Sequence, residues 1–144
     1  MPPVTRPRSV QVISYKVRTG HSNMFVNVGY LDYCWVCGGD GTNTSVSGDL
    51  EECGGCGGTG NPPSTPKPFE VFVKVGHADP CEQAYTESLG RVLSIALQYG
   101  VPPEELIHQL EDLKCVPHPD PEGGYIQSPS DGIAKMLRKF ISTT

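Results

Sequence analysis

The chain holds 144 residues, with 11 Lys+Arg against 16 Asp+Glu and a formal net charge of −5. That length suits one domain with an insert, and the acidic balance excludes a protein that grips duplex phosphates over its whole surface. No apolar run approaches the roughly 20 residues that span a bilayer, so no membrane role is expected.

The opening stretch MPPVTRPRSV lacks the apolar segment of a signal peptide, which predicts a cytoplasmic protein, in the host cytoplasm if the chain is viral. Two strand-like runs, residues 10–18 and 24–30, flank the turn-forming stretch Thr19-Gly20-His21-Ser22-Asn23 and predict a hairpin. Glycine and proline then cluster over residues 38–68, which marks an insert. A third strand is predicted over 69–75, where Phe69, Val71, Val73 and Val75 alternate with Glu70, Phe72 and Lys74.

Helical spacing follows. Tyr85, Leu89, Val92, Leu93 and Ala96 predict one buried helical face. Asp79 is the expected N-cap, Pro80 suits the first helical position, Glu82 completes a capping box, and Gly100 supplies a left-handed stop. A second helix from Pro102-Pro103 is expected to bury Leu106, Ile107, Leu110 and Leu113. A third, after Ser128-Pro129, is expected to bury Ile133, Met136, Leu137, Phe140 and Ile141. Residues 116–125 between them read as a loop, with a short extended piece at Tyr125-Ile126. The sum is an α+β fold: a small antiparallel sheet of about three strands covered on one face by three helices, with a zinc-binding insert between the second and third strands. Residues 1–144 are expected to form a single domain that contains the insert at 34–60.

Alternation places Lys16 and Arg18 of the first strand, Phe25 and Asn27 of the second, and Phe72 and Lys74 of the third on the face that the helices leave open. Two aromatics for stacking and three cations for phosphates make these six the candidate ligand-binding residues, for a nucleotide or a single strand. The plainer readings are a solvated face, or the contact by which a homo-oligomer closes over an exposed sheet.

Cys34-Trp-Val-Cys37 and Cys53-Gly-Gly-Cys56 stand fifteen residues apart, a C-x₂-C-x₁₅-C-x₂-C spacing that predicts a four-cysteine zinc site. Four thiolates leave no position for water, so the zinc is expected to be structural. Both knuckles run on as Cys-Gly-Gly, and glycine permits the positive φ that turns backbone N–H groups toward thiolates. This doubled C-x-x-C-x-G-x-G pattern resembles half of the zinc-binding region of DnaJ-type chaperones, an analogy for the knuckle alone. Between the knuckles only Val46 and Leu50 are aliphatic, so the insert must take its ordering energy from the metal. A redox pair or disulfides are the alternatives, which a reducing compartment and glycine-rich flanks oppose.

Of the remaining cysteines, Cys81 starts the first helix and Cys115 follows the second; both are expected as small buried residues, with reactive thiols as the alternative. His21, His77, His108 and His118 show no metal-binding spacing, and His108 is expected on an exposed helix side. There is no P-loop, nucleophile elbow or dinucleotide fingerprint. Asp32, Asp40, Asp49, Glu51 and Glu52 crowd the insert, but a saturated zinc activates no water for them, so a non-enzyme is expected. Residues 31–60 carry five carboxylates and no Lys or Arg, which disfavours duplex nucleic acid as a partner of the insert.

Outside the insert, the stretches Tyr15-Lys-Val-Arg-Thr-Gly20, Pro68-Phe-Glu-Val-Phe-Val-Lys-Val-Gly76, Thr86-Glu-Ser-Leu-Gly-Arg-Val-Leu-Ser-Ile-Ala-Leu97, Gly100-Val-Pro-Pro-Glu-Glu, Leu113-Lys-Cys115 and Ser130-Asp-Gly-Ile-Ala-Lys135 follow one another in order. Together they resemble the TSCPD domain found near the C-terminus of many adenosylcobalamin-dependent (class II) ribonucleotide reductases. Where that family reads Ser-Cys-Pro-Asp, this chain has Ser128-Pro129-Ser130-Asp131, so a role for that thiol, pairing with Cys115 included, is not carried over. The reductase barrel, its radical cysteine and its cobalamin site do not fit in 144 residues, so the resemblance implies an accessory. The expected function is that of a non-catalytic zinc-binding protein, of a kind that suits a phage, binding a nucleotide-type small molecule or a protein partner in nucleotide metabolism or replication. One alternative is a viral sponge in which oligomerised copies sequester a nucleotide immune signal. Another is a thiol redox accessory of a ribonucleotide reductase, working through Cys81 or Cys115.

Overall fold

The computed structural model describes residues 6–61, 67–76 and 79–143; His77 and the end of the Gly/Pro-rich cluster, residues 62–66, lie outside them. In chain order the elements are β1 (Gln11–Arg18), β2 (Asn23–Leu31), β3 (Thr42–Thr44), β4 (Leu50–Glu52), β5 (Lys67–Val75), α1 (Pro80–Gln98), α2 (Pro103–Leu110), β6 (His118–Pro119), β7 (Tyr125–Ile126) and α3 (Pro129–Thr143).

The main sheet is antiparallel in the order β1-β2-β5. The β2–β5 pairing runs to its last rung, where Leu31 faces Lys67. Two-residue alternation sends Val17, Met24, Val26, Val28, Val71 and Val73 to the covered face, where they meet Leu93 and Leu97 of α1, Ile107 and Leu110 of α2, and Ile133, Leu137 and Phe140 of α3. Helix α1 packs on β5, α3 on β2, and α2 on α3. This is the α+β architecture expected of the pattern, with the cysteine cluster between β2 and β5. Residues 45–49 link β3 to β4 as a small hairpin, and the loop after α2 holds a second one, β6 with β7.

Helix α1 differs from its expected orientation. Tyr85 and Val92 are 75% and 63% exposed, and the buried residues are Thr86, Gly90, Leu93, Ser94 and Leu97. The reason lies in β5. A Cβ on Gly90 would stand 3.0 Å from the Val71 carbonyl oxygen, so any larger residue there would push helix and strand apart by a few tenths of an ångström. Ser94 Oγ accepts the Val71 N–H at 2.9 Å, and its one hydroxyl proton lies between the Gly90 carbonyl at 2.8 Å and the Val71 carbonyl at 3.1 Å, so the serine meets the outer edge of the strand. Small polar residues win this face because they can touch backbone. Tyr85, Val92, Ile95 and Tyr99 are left as a second apolar stripe on the outside.

The cap of α1 is half as expected: Asp79 Oδ1 accepts the Glu82 N–H at 2.8 Å, but Glu82 Oε1 is buried and has no hydrogen-bond partner among the described residues. Gly100 does terminate the helix, at φ +91°, with its N–H on the Leu97 carbonyl. Helix α2 stops at Leu110, before it can bury Leu113, which is 52% exposed. In α3, Ile133, Met136, Leu137 and Phe140 are buried as expected and Ile141 is half-buried.

Asp131 ties the helical layer together. Its carboxylate is fully buried; Oδ1 accepts the Asp112 N–H at 2.8 Å, and Oδ2 accepts the Gln127 N–H at 2.8 Å and the Lys135 ammonium. Its own N–H donates to Ser128 Oγ at 3.1 Å, so Ser128 caps α3. Asp112 sits at φ +63°, a left-handed turn that the bond to Asp131 helps to hold. Burial pushes the Asp131 carboxyl up, but Lys135 and the N–H groups of Asp112 and Gln127 outweigh it and hold it below the usual carboxylate range.

Candidate metal centre

Two C-x-x-C turns, one after β2 and one after β4, bring Cys34, Cys37, Cys53 and Cys56 together, with all four sulfurs within 4.8 Å of one another. Cys34 Sγ lies 3.9 Å from Cys53 Sγ, and Cys37 Sγ lies 3.8 Å from Cys56 Sγ. Four sulfurs on a tetrahedron about 2.3 Å from a central ion stand about 3.8 Å apart, whereas a disulfide needs about 2.05 Å. The donors therefore fit one tetrahedral metal ion and not a pair of disulfides.

The two halves repeat one another at an offset of 19 residues. The Gly41 N–H donates to Cys37 Sγ at 3.1 Å, and the Gly60 N–H donates to Cys56 Sγ at 3.3 Å. Each half also serves the other: the Cys34 N–H donates to the Gly60 carbonyl at 2.8 Å, and the Cys53 N–H to the Gly41 carbonyl at 2.9 Å. The φ values match in the same way, +81° at Gly41 and +76° at Gly60. These bonds stabilise thiolate charge and orient the sulfurs toward a common centre. Burial pushes the Cys34 thiol up to about 11. At Cys56 burial acts in the same sense but is outweighed by the Gly60 N–H and the neighbouring thiols, which bring it down to about 6.

Replacing Gly60 by alanine tests this geometry. A Cβ there would stand 2.4 Å from the Gly39 carbonyl oxygen, at a backbone conformation that L side chains rarely adopt. Gly60→Ala is expected to weaken metal binding roughly 10- to 100-fold in a competition titration with a chromogenic chelator, as loss of an outer hydrogen-bonding shell does. Gly54→Ala, where an added Cβ meets nothing within 4 Å, is the matched control.

The rest of the insert holds no core. Val46 and Leu50 are both exposed, and β3 and β4 are three residues each. Lys67 places its ammonium 5.5 Å from the Trp35 ring centre, a cation–π contact where the insert rejoins the sheet.

The six residues expected on the open face lie there together. Lys16, Phe25 and Lys74 form one rung across the three strands; Ser14, Asn27 and Phe72 form the next; Arg18 faces Asn23 at the end of β1. Phe25 is 39% and Phe72 48% exposed. Among the described residues no ion pair uses Lys16, Arg18 or Lys74. A groove of about 640 Å³ runs from Phe72 and Lys74 along β5 to Glu87 and Arg91 of α1. At the other end of this face Arg6 pairs with the buried Glu70 at 3.0 Å, beside Gly29.

Both remaining cysteines, Cys81 and Cys115, are exposed and not buried as expected. Cys115 Sγ lies 3.1 Å from His21 Nε2, a contact that no local spacing announces because 94 residues separate the two. His108 is exposed as expected, and no described helix is long and apolar enough to cross a membrane.

Residues 2–141 match the family described as the TSCPD domain. No curated protein and no solved structure matches the chain.

Proposed function

We propose a binding role for this chain, which belongs to the TSCPD domain family: a non-catalytic, zinc-stapled accessory protein that takes a nucleotide-type ligand on its open sheet face. The observation that carries this reading is the pair of adjacent rungs, Lys16–Phe25–Lys74 and Ser14–Asn27–Phe72, of which Asn27, Phe72 and Lys74 also line the groove toward Arg91. Rings flanked by ammonium groups suit base stacking and phosphate neutralisation at once. The groove has the volume of a small-molecule site.

Zinc is the metal that suits four cysteine thiolates at tetrahedral spacing. It would supply a crosslink between the two knuckles, held by Cys34, Cys37, Cys53 and Cys56. A coordination shell already full supports a structural and not a catalytic ion. Self-association is part of the proposal, since Tyr85, Val92, Ile95 and Tyr99 put an apolar stripe on the outside of α1.

A thermal-shift panel of mononucleotides and cyclic nucleotides on metal-loaded protein tests the reading. A ligand at a hundred times its Kd adds about 2.7 kcal/mol, a rise of roughly 5–10 °C in Tm. The double substitution Lys16→Glu with Phe72→Ala is expected to remove the rise without lowering the unliganded Tm by more than a few degrees. A response confined to cyclic nucleotides would specify sequestration of a signal. A flat response across the panel overturns the ligand and leaves a protein partner in nucleotide metabolism or replication.

A further inference from the structure

We infer that the cleft beside the β1–β2 turn is a thiol-reactive site, in which Cys115, hydrogen-bonded to His21, attacks a small disulfide that carries a cationic amine. This site is separate from the open sheet face and does not depend on the reading given for it.

The Cys115–His21 contact is held from both sides. Thr19, fully buried, accepts the N–H groups of His21 and Ser22 on Oγ1 at 3.2 and 3.1 Å and donates to the Ser22 carbonyl at 3.0 Å. A Cβ on Gly20 would stand 2.3 Å from the Val116 carbonyl oxygen, so the turn lies hard against the backbone next to Cys115. Cys115 itself is pinned by its N–H to the Gln127 carbonyl at 2.8 Å. The imidazole and thiol are thus both exposed and both positioned, at the separation that a nucleophile and its base require.

They line a cleft of about 450 Å³ with apolar walls from Leu89, Leu113 and Pro129, and Cys81 and Glu82 border the same space. Glu82 Oε1 is a second, independent sign of a ligand: a buried carboxylate oxygen with no donor among the described residues. An amine on the substrate would supply that donor.

The step balances as a thiol–disulfide exchange. His21 Nε2 takes the Cys115 proton, and the thiolate attacks one sulfur of R–S–S–R. The Cys115–S–S–R bond forms as the substrate's S–S bond breaks, and the departing RS⁻ takes the proton from His21 to leave as RSH. The substrate disulfide is the two-electron oxidant, so no other reagent is needed.

Metal-loaded full-length protein treated with cystamine, and mapped by mass at each cysteine, tests the site. At pH 7 Cys115 is expected to form its adduct roughly tenfold faster than Cys81, an exposed thiol on the same cleft and the internal control. His21→Ala is expected to bring the two rates within about twofold, and added free imidazole to restore part of the difference; His21→Gln, closer in size, is the second variant. Glu82→Gln is expected to slow the reaction with cystamine and to leave that with the anionic dithiodipropionate unchanged. Equal rates at Cys115 and Cys81 in the wild type overturn the proposal. So does an advantage that survives both His21 substitutions, or one lost without imidazole rescue, which would leave His21 only a structural neighbour.

Discussion

Metal-free protein, prepared with a chelator or as Cys53→Ser, is expected to lose the order of residues 34–60 while the β1-β2-β5 sheet and its helices stay folded. The insert has no apolar interior, since Val46 is fully exposed and Leu50 76% exposed. A hairpin of two three-residue strands does not hold itself in water. Its order must come from the metal, which in comparable four-ligand sites supplies about 10–16 kcal/mol. The main core draws on none of it, because no residue of the principal hydrophobic cluster lies in the insert. Limited proteolysis should show cleavage within 34–60 accelerating at least about 100-fold on chelation, as expected when a segment passes from ordered to open. The far-UV spectrum should keep its helical signal. Equal protease resistance with and without chelator, or metal analysis finding no stoichiometric ion, would sink the claim.

Asp131→Asn is expected to cost about 3 kcal/mol, roughly 10 °C in Tm, although it removes no apolar surface. One carboxylate serves three donors here: the N–H groups of Asp112 and Gln127 and the Lys135 ammonium. An amide can accept from at most part of that set, and it places an NH₂ against a donor. The pH dependence has a definite sign. The folded-state pKa is depressed, so the stabilisation is fully present above the unfolded value of about 3.9 and is lost as pH falls through the lower folded value. The gap in stability between wild type and Asp131→Asn should therefore be constant from neutral pH down to about 5 and narrow below about 4. A gap that widens in acid, or a variant as stable as wild type at pH 7, would contradict the role given to Asp131.

The three strands of the main sheet, the limits of α1 and the knuckles were legible because their signals are local: two-residue alternation, a cap and a glycine stop, paired C-x-x-C turns. The open sheet face was legible for the same reason, since alternation alone decides which side chains share it. The rotation of α1 was not. Its sequence is apolar around most of the circumference, so Tyr85 and Val92 satisfied helical spacing as well as Leu93 and Leu97 did. The choice between them is made by backbone contact of Gly90 and Ser94 with Val71, which only the folded sheet provides. Cys115 and His21 meet across 94 residues. Asp131 sits in a stretch singled out for a cysteine it lacks, while the aspartate that remains does the structural work.

The last rung of the β2–β5 ladder, where Leu31 faces Lys67, bears on how such a protein changes over time. A chain that leaves a ladder at one position and rejoins it directly opposite makes a detour, and the ladder's alignment is indifferent to the detour's length. Residues 32–66 can thus be shortened, enlarged or exchanged as a cassette, with selection on the sheet and on the knuckles proceeding almost independently.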